Sequence, residues 1–133
     1  MKGIRTILID DEPRGLTSLQ KLLEINCPEV NVMQCCSTAD EAKKAIAAIG
    51  PDLVFLDIAM PGKNGFELLQ ELPAIDFEII FVTAHDNFTT QALHLSAVDY
   101  LLKPVDEDLL TDAVRRAAKR IGEKAGKQQI ETF

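Results

Sequence analysis

Short, almost wholly apolar segments alternate along the chain with segments in which apolar residues recur every three or four positions. The apolar segments cover residues 4–9, 30–35, 53–56, 78–82 and 98–102, and their length and β-branched content predict five strands. Helical spacing follows each of them. Segments that are apolar at nearly every position are typical of a sheet covered on both faces. The pattern therefore predicts an α/β fold with a doubly wound parallel sheet and helices on both faces.

Local signals mark the ends of several helices. Pro13 suits the first turn of the first helix, and Thr38 followed by Glu41 predicts a capping box at the start of the second, which Gly50 ends. The three later helices are predicted at residues 66–72, 87–95 and 106–121. Acidic residues in the first turn of the last helix and basic residues towards its end complement the helix dipole.

Composition limits the classes of function. The chain has 133 residues, of which 47% are hydrophobic and 26% charged, as expected for one stable globular domain. A formal net charge of −7 opposes direct binding to nucleic acid. The longest apolar run, residues 45–49, is far shorter than the roughly 20 residues that cross a bilayer. The first residues lack a secretory signal, so we expect a cytoplasmic protein, with Cys27, Cys35 and Cys36 as small buried hydrophobes.

Polar side chains follow four of the five predicted strands. These residues are Asp10, Asp11 and Glu12 after the first strand, Asp57 after the third, Thr83 after the fourth and Lys103 after the fifth. Because the carboxyl ends of parallel strands share one edge of the sheet, we expect them to converge. Clustered carboxylates repel one another and favour a hard cation, Mg²⁺ or Mn²⁺, whose usual companion is a phosphoryl group. The sequence therefore predicts phosphoryl transfer with Asp57 as the nucleophile.

Four segments together resemble the receiver domains of two-component response regulators, which are similar in fold to CheY. They are ILIDDE (7–12), VFLDIAMPGKNG (54–65), FVTA (81–84) and DYLLKP (99–104). The resemblance covers residues 4 to about 121 and implies the strand order 2-1-3-4-5. It implies a receiver domain at residues 1–122 and a linker or tail at residues 123–133 that leads to an output domain outside this chain. The segments TAHDNF (83–88) and SAVDYLLKP (96–104) are similar to the subset whose output is a LytTR DNA-binding domain.

The resemblance also implies the chemistry of the acidic residues. Asp57 would accept a phosphoryl group from a histidine kinase. Asp10, Asp11, Asp57 and the backbone carbonyl of Ala59 would hold Mg²⁺, with Mn²⁺ as a substitute. On this interpretation the protein is a phosphoacceptor switch that assists its own phosphorylation and dephosphorylation, and it is not an enzyme acting on an external substrate.

The residues at the ends of the fourth and fifth strands would transmit the signal. Thr83 and Lys103 would contact phosphoryl oxygens, and the peptide between Lys103 and Pro104 would be cis. Tyr100 would move with the Thr83 loop and alter the face made by the fourth helix, fifth strand and fifth helix, through which two copies could dimerise. His85 is open to two interpretations, as a residue near the phosphoryl group that tunes dephosphorylation or as a solvent-facing loop residue.

Three alternatives share parts of this pattern. A receiver-like interaction module that is never phosphorylated would keep the fold without the chemistry. A phosphatase with an aspartyl nucleophile would share Mg²⁺, but its dehalogenase-like pattern places two acids as DxD on the first strand. A flavin-binding module of the same topology needs a hydroxyl-rich phosphate loop, which the acidic residues 10–12 do not supply.

Overall fold

The five strands form one parallel sheet. The computed structural model describes residues 3–132, with side chains for residues 3–126. The strands are β1 (Ile4–Ile9), β2 (Val30–Cys36), β3 (Leu53–Leu56), β4 (Glu78–Thr83) and β5 (Asp99–Leu102), in the order β2-β1-β3-β4-β5. The helices are α1 (Pro13–Asn26), α2 (Ala39–Ile49), α3 (Gly65–Gln70), α4 (Thr89–His94) and α5 (Glu107–Thr132). The predicted doubly wound α/β fold and the predicted strand order are therefore confirmed.

Alternation along the central strands builds two cores, one on each face of the sheet. Leu53 and Phe55 of β3 pack on the face covered by α1 and α5. Val54 and Leu56 pack on the opposite face, against α2 and α3. All four side chains are buried, which explains why the strand is apolar at every position. No helix within residues 3–132 has the length and apolar character needed to span a membrane.

Helix capping differs from the predicted pattern at α2. The Thr38 hydroxyl accepts a hydrogen bond from the Glu41 amide, but the Glu41 carboxylate accepts a hydrogen bond from the Ser37 hydroxyl instead of turning back to the Thr38 amide. Only half of the predicted capping box forms there. A complete capping box begins α3, where Asn64 and Glu67 exchange both hydrogen bonds. Ser37 offers Glu41 a competing donor, which the spacing of Thr38 and Glu41 alone does not reveal.

The helix boundaries also differ from the predictions. Helix α3 begins one residue before its predicted start and ends two residues before its predicted end, and α4 is three residues shorter than predicted. Helix α5 continues past the predicted end at Ile121 as far as Thr132. Gly122 and Gly126 lower helix propensity, but the residues around them are strong helix formers and outweigh that cost. The backbone of the predicted tail is therefore helical as far as it is described, and Phe133, its last residue, lies outside the described residues.

Candidate functional site

Strand register places the acidic residues side by side. Ile9 of β1 pairs with Leu56 of β3, so the next residues, Asp10 and Asp57, leave adjacent strands at the same level. The Asp57 amide donates to the Ile9 carbonyl at 2.9 Å, and this hydrogen bond holds the ends of β1 and β3 next to each other. Both aspartates are buried, at 6% and 4% exposure. Carboxylates at this depth require compensating partners.

Lys103, the residue after β5, supplies the compensating positive charge. Its Nζ lies 2.7 Å from Asp10 Oδ2 and 3.0 Å from Asp57 Oδ2. The backbone holds it there, because the Lys103 amide donates to the Thr83 carbonyl at 2.9 Å. Burial lowers the pKa of Lys103, but the hydrogen bonds and charges of the two aspartates outweigh it and raise the pKa above its ordinary value. The lysine is therefore held in its charged form.

Asp11 completes the acidic cluster. Ligand oxygens of Asp10, Asp11 and Asp57 all lie within 4.8 Å of one another. Asp11 is half-buried, and within the described part of the chain its carboxylate has no ion pair or hydrogen bond. Three carboxylates thus face one ammonium group, an excess of negative charge that a divalent cation with oxygen ligands would neutralise. The donor set fits Mg²⁺ and does not fit a metal that prefers nitrogen or sulfur.

Backbone amides orient the two buried carboxylates. The Glu12 amide donates to Asp10 Oδ1 at 3.0 Å, and the Ala59 amide donates to Asp57 Oδ1 at 3.1 Å. Each aspartate therefore has one oxygen bonded to an amide and the other bonded to Lys103. The Glu12 carboxylate belongs to an exposed residue and is not part of the cluster of three.

Thr83 leaves a polar group without a partner at the same edge. Thr83 is fully buried, and its Oγ1 is the one buried side-chain oxygen or nitrogen within residues 3–126 that has no hydrogen-bond partner. Its strand neighbour in β5 is Leu102, the residue before Lys103. A buried hydroxyl without a partner costs about 1–3 kcal/mol, so an arriving acceptor oxygen would relieve a real penalty. As hydrogen-bond donors, the Thr83 hydroxyl and the Lys103 ammonium therefore also fit an oxyanion ligand.

Tyr100 connects this edge to the loop after β4. The Tyr100 hydroxyl donates to the His85 carbonyl, and its ring lies 6.2 Å from that of Phe81. Burial, followed by the charges of Asp86 and Asp57, raises the pKa of Tyr100 above its ordinary value. The phenol therefore stays neutral and can donate. His85 has an exposed side chain, and the atom it contributes here is its backbone oxygen.

The predicted residues fall into three sets in the structure. Those brought together are Asp10, Asp11, Asp57 and Lys103, with Thr83 at the same edge. Ala59 is exposed beside Asp57, and the peptide between Lys103 and Pro104 is cis. Tyr100 is half-buried and bonded to the His85 backbone, so it lies between the site and the loop.

Sequence reasoning missed two glycines that line the site. A Cβ at Gly65 would lie 2.9 Å from the Asp57 carbonyl oxygen and 3.2 Å from Ile58 Cα, so only glycine lets α3 begin against the end of β3. A Cβ at Gly15 would lie 2.3 Å from Asp10 Oδ2. The available signal was a glycine in the first turn of a helix, a position where glycine needs a reason.

A five-stranded sheet in this order, with an acidic cluster and a lysine at its carboxyl edge, defines the class of CheY-like signalling domains. The model of the response regulator receiver domain family matches residues 6–115. The chain belongs to that family and is a receiver domain of a two-component system.

Individual relatives agree with this assignment. The chain is 42% identical over 118 residues to an uncharacterized response regulatory protein of Vibrio cholerae, covering 88% of this chain and 49% of that protein. It is 30% identical over 122 residues to the sensory transduction protein LytT of Enterococcus faecalis, covering 90% of this chain and 50% of LytT. The chain thus spans about half the length of these relatives.

A solved structure extends the agreement to the backbone. The signal receiver domain of the putative response regulator NarL from Mycobacterium tuberculosis superposes with a TM-score of 0.76 at 28% identity. The match covers 90% of this chain and 98% of that domain. The fold, and not only the short motifs, is shared along nearly the whole chain.

Proposed function

We propose that this receiver domain is switched by phosphorylation of Asp57. The observation that carries the proposal is the unpartnered Thr83 hydroxyl at the same sheet edge as the Asp57 carboxylate and the Lys103 ammonium. A phosphoryl group on Asp57 carries about −1.5 to −2 charge in place of the single charge of the carboxylate, and it brings three acceptor oxygens. Thr83 can donate to one of these oxygens and Lys103 can pair with another. The group would thus satisfy a buried donor that now has no partner.

The chemistry requires little beyond positioning and charge. An Asp57 carboxylate oxygen attacks the phosphorus of a phosphohistidine, a P–O bond forms, the P–N bond breaks, and the imidazole nitrogen keeps the electron pair. The donor of this group would be a sensor histidine kinase. In the resting protein Lys103 draws one Asp57 oxygen towards itself and the Ala59 amide holds the other, so the carboxylate is already oriented.

Asp10, Asp11, Asp57 and the backbone carbonyl of Ala59 would hold Mg²⁺, with Mn²⁺ as a substitute. When bound, the cation supplies positive charge against the phosphoryl oxygens during transfer. The proposal rests on the cluster of ligand oxygens within 4.8 Å and on their excess negative charge. In this account the domain assists its own phosphorylation and dephosphorylation, and it is not an enzyme for an external substrate.

The switch would reach the rest of the molecule through Tyr100. If the Thr83 loop moves towards the phosphoryl group, the bond between the Tyr100 hydroxyl and the His85 carbonyl must change. Tyr100 lies in β5 beside α4 and α5, and this face exposes Leu93 of α4 at 76% and Leu102 of β5 at 46%. We propose that two copies dimerise through this α4–β5–α5 face after phosphorylation.

We further propose that the output is a LytTR-type DNA-binding domain that regulates transcription. LytT and the Vibrio cholerae protein are about twice as long as the part that this chain covers, which leaves room for a second domain. The net charge of −7 argues that nucleic acid is contacted by that domain and not by this one.

Intact-protein mass spectrometry tests the phosphorylation step. The wild type is incubated with acetyl phosphate and Mg²⁺, with and without EDTA, beside Asp57→Asn and the control Asp40→Asn, which changes an exposed carboxylate in the first turn of α2. We expect one phosphoryl adduct in the wild type and in Asp40→Asn, and none with EDTA or in Asp57→Asn. An adduct of equal yield in Asp57→Asn would contradict the proposal. Absence of any adduct from acetyl phosphate and from a phosphorylated kinase would favour an interaction module that is never phosphorylated.

A further inference from the structure

Gly15 occupies a position where its residue type has no backbone explanation. It is the third residue of α1, in a right-handed helix, and the glycines with positive φ within residues 3–132 are Gly50 and Gly62. Glycine in a helix is about 1 kcal/mol less favourable than alanine. The reason for glycine at this position must therefore lie in what its missing side chain makes room for.

The missing side chain makes room for one oxygen of Asp10. A Cβ at Gly15 would lie 2.3 Å from Asp10 Oδ2 and 3.0 Å from Asp10 Cγ, with Lys103 Nζ next at 3.4 Å. Asp10 Oδ2 is the same atom that accepts the 2.7 Å hydrogen bond from Lys103. The space above Gly15 is thus the space that Asp10 occupies while it is paired with Lys103. A methyl group there would force the carboxylate, the free end of a flexible side chain, to turn away.

We propose that Gly15 is a positioning residue that lets Asp10 pair with Lys103, and that this pairing opposes Mg²⁺ binding in the resting domain. The Lys103 ammonium, 2.7 Å from Asp10 Oδ2, engages that oxygen and repels a second cation beside it, so Mg²⁺ binding at Asp10 competes with this contact. This inference rests on the proposed function, because it assumes that Asp10 is a Mg²⁺ ligand. It adds that α1 sets the strength of Mg²⁺ binding by the size of one side chain.

The first test compares two glycine-to-alanine variants by calorimetric titration of the unphosphorylated protein with Mg²⁺. Gly15→Ala should bind Mg²⁺ about three- to tenfold more tightly than the wild type, the range expected from losing one partly buried ion pair. Gly122→Ala is the matched control, because it also replaces a helical glycine while its added Cβ meets no described atom within 4 Å beyond its chain neighbours and the backbone of its own helix. Unchanged or weaker binding in Gly15→Ala would overturn the inference.

A double-mutant cycle then tests the route through Lys103. Lys103→Gln removes the competing ammonium, so it should itself tighten Mg²⁺ binding, and adding Gly15→Ala should then change the affinity little. If the effect of Gly15→Ala persists in full in the Lys103→Gln background, it does not act through the ion pair and the inference fails. Should Gly15→Ala not fold, unchanged Mg²⁺ affinity in Lys103→Gln alone would overturn it.

The two proposals fail in different ways. If the wild type binds no Mg²⁺ and accepts no phosphoryl group, the proposed function itself fails. If the wild type does both while Gly15→Ala binds Mg²⁺ like Gly122→Ala, the phosphoacceptor site stands and only the role of Gly15 is refuted.

Discussion

Two charged clusters in this domain, each containing lysine, have opposite electrostatic character. At the carboxyl edge of the sheet, Lys103 faces Asp10 and Asp57, both buried, with Asp11 close by. Between α2, the loop after β3 and the end of α3, two lysines, Lys43 and Lys63, share the exposed carboxylate of Glu71. The first cluster has an excess of negative charge in a buried place. The second cluster has an excess of positive charge in contact with water.

The difference separates a functional site from a structural contact. Solvent screens the Lys43–Glu71–Lys63 cluster, so its charges cost little and contribute little. Burial makes every imbalance at the sheet edge more costly, and the unpartnered Thr83 hydroxyl adds to that cost. A domain selected for stability alone would not keep such a group of residues together. The imbalance is what a divalent cation and a phosphoryl group would relieve.

Removing one lysine from each cluster should give the largest contrast. Lys103→Met leaves Asp10 and Asp57 buried without a cation, and we expect a loss of about 2 kcal/mol in the free energy of unfolding. Lys63→Met, the matched change at an exposed site, should cause no measurable loss because Lys43 still pairs with Glu71. Urea denaturation in EDTA measures both. Equal losses in the two variants would show that burial does not distinguish the clusters.

Neutralising one carboxylate in each cluster should give effects of opposite sign. Asp11→Asn removes like-charge repulsion while breaking no ion pair among the described residues, so it should stabilise the metal-free protein by about 0.5–1 kcal/mol. It should also weaken Mg²⁺ binding. Glu71→Gln removes the partner of two lysines and should slightly destabilise the protein, an effect that 0.5 M NaCl removes. Destabilisation by Asp11→Asn in EDTA would contradict the account.

The contribution of Lys103 to the free energy of unfolding should fall at alkaline pH. This effect should be smaller than the two effects described above. Because the folded-state pKa of Lys103 is raised, its stabilisation is complete below the unfolded value of about 10.4 and is lost as pH rises through the folded value. The gap in unfolding free energy between the wild type and Lys103→Met should therefore narrow above about pH 10.5. Denaturation midpoints at pH 8 and pH 11 measure that gap. A gap that is wider at pH 11 than at pH 8 would mean that the pKa of Lys103 is lowered in the folded state and not raised.

The strands were easier to predict than the ends of the helices. The strand bounds followed to within one residue from buried, β-branched segments, because burial on both faces leaves a continuous apolar signal. The strand order came from the family resemblance and not from this pattern. Helix ends depend on local competition, as at Glu41, where Ser37 provides a donor, and at Gly122, where neighbouring helix formers outweigh one glycine. Such competition between nearby groups is not visible in a periodic pattern.

The members of the site were predictable, whereas their contacts were not. Asp10, Asp57 and Lys103 each follow a strand, so topology alone brings them to one edge. That Lys103 bridges the two aspartates, and that Gly15 makes room for the contact, depends on side-chain positions that no spacing specifies. The sequence therefore predicted which residues meet, and the structure supplied which atoms they share.

Mapping the phosphorylated residue tests the central claim most directly. After incubation with acetyl phosphate and Mg²⁺, borohydride reduces an acyl phosphate to an alcohol, and peptide mass spectrometry then identifies the modified side chain. The account predicts modification of Asp57 in the wild type and none at Asp10, Asp11 or Glu71. Reduction at one of those other carboxylates, with Asp57 intact, would contradict the claim that the buried cluster around Lys103 directs phosphorylation to Asp57.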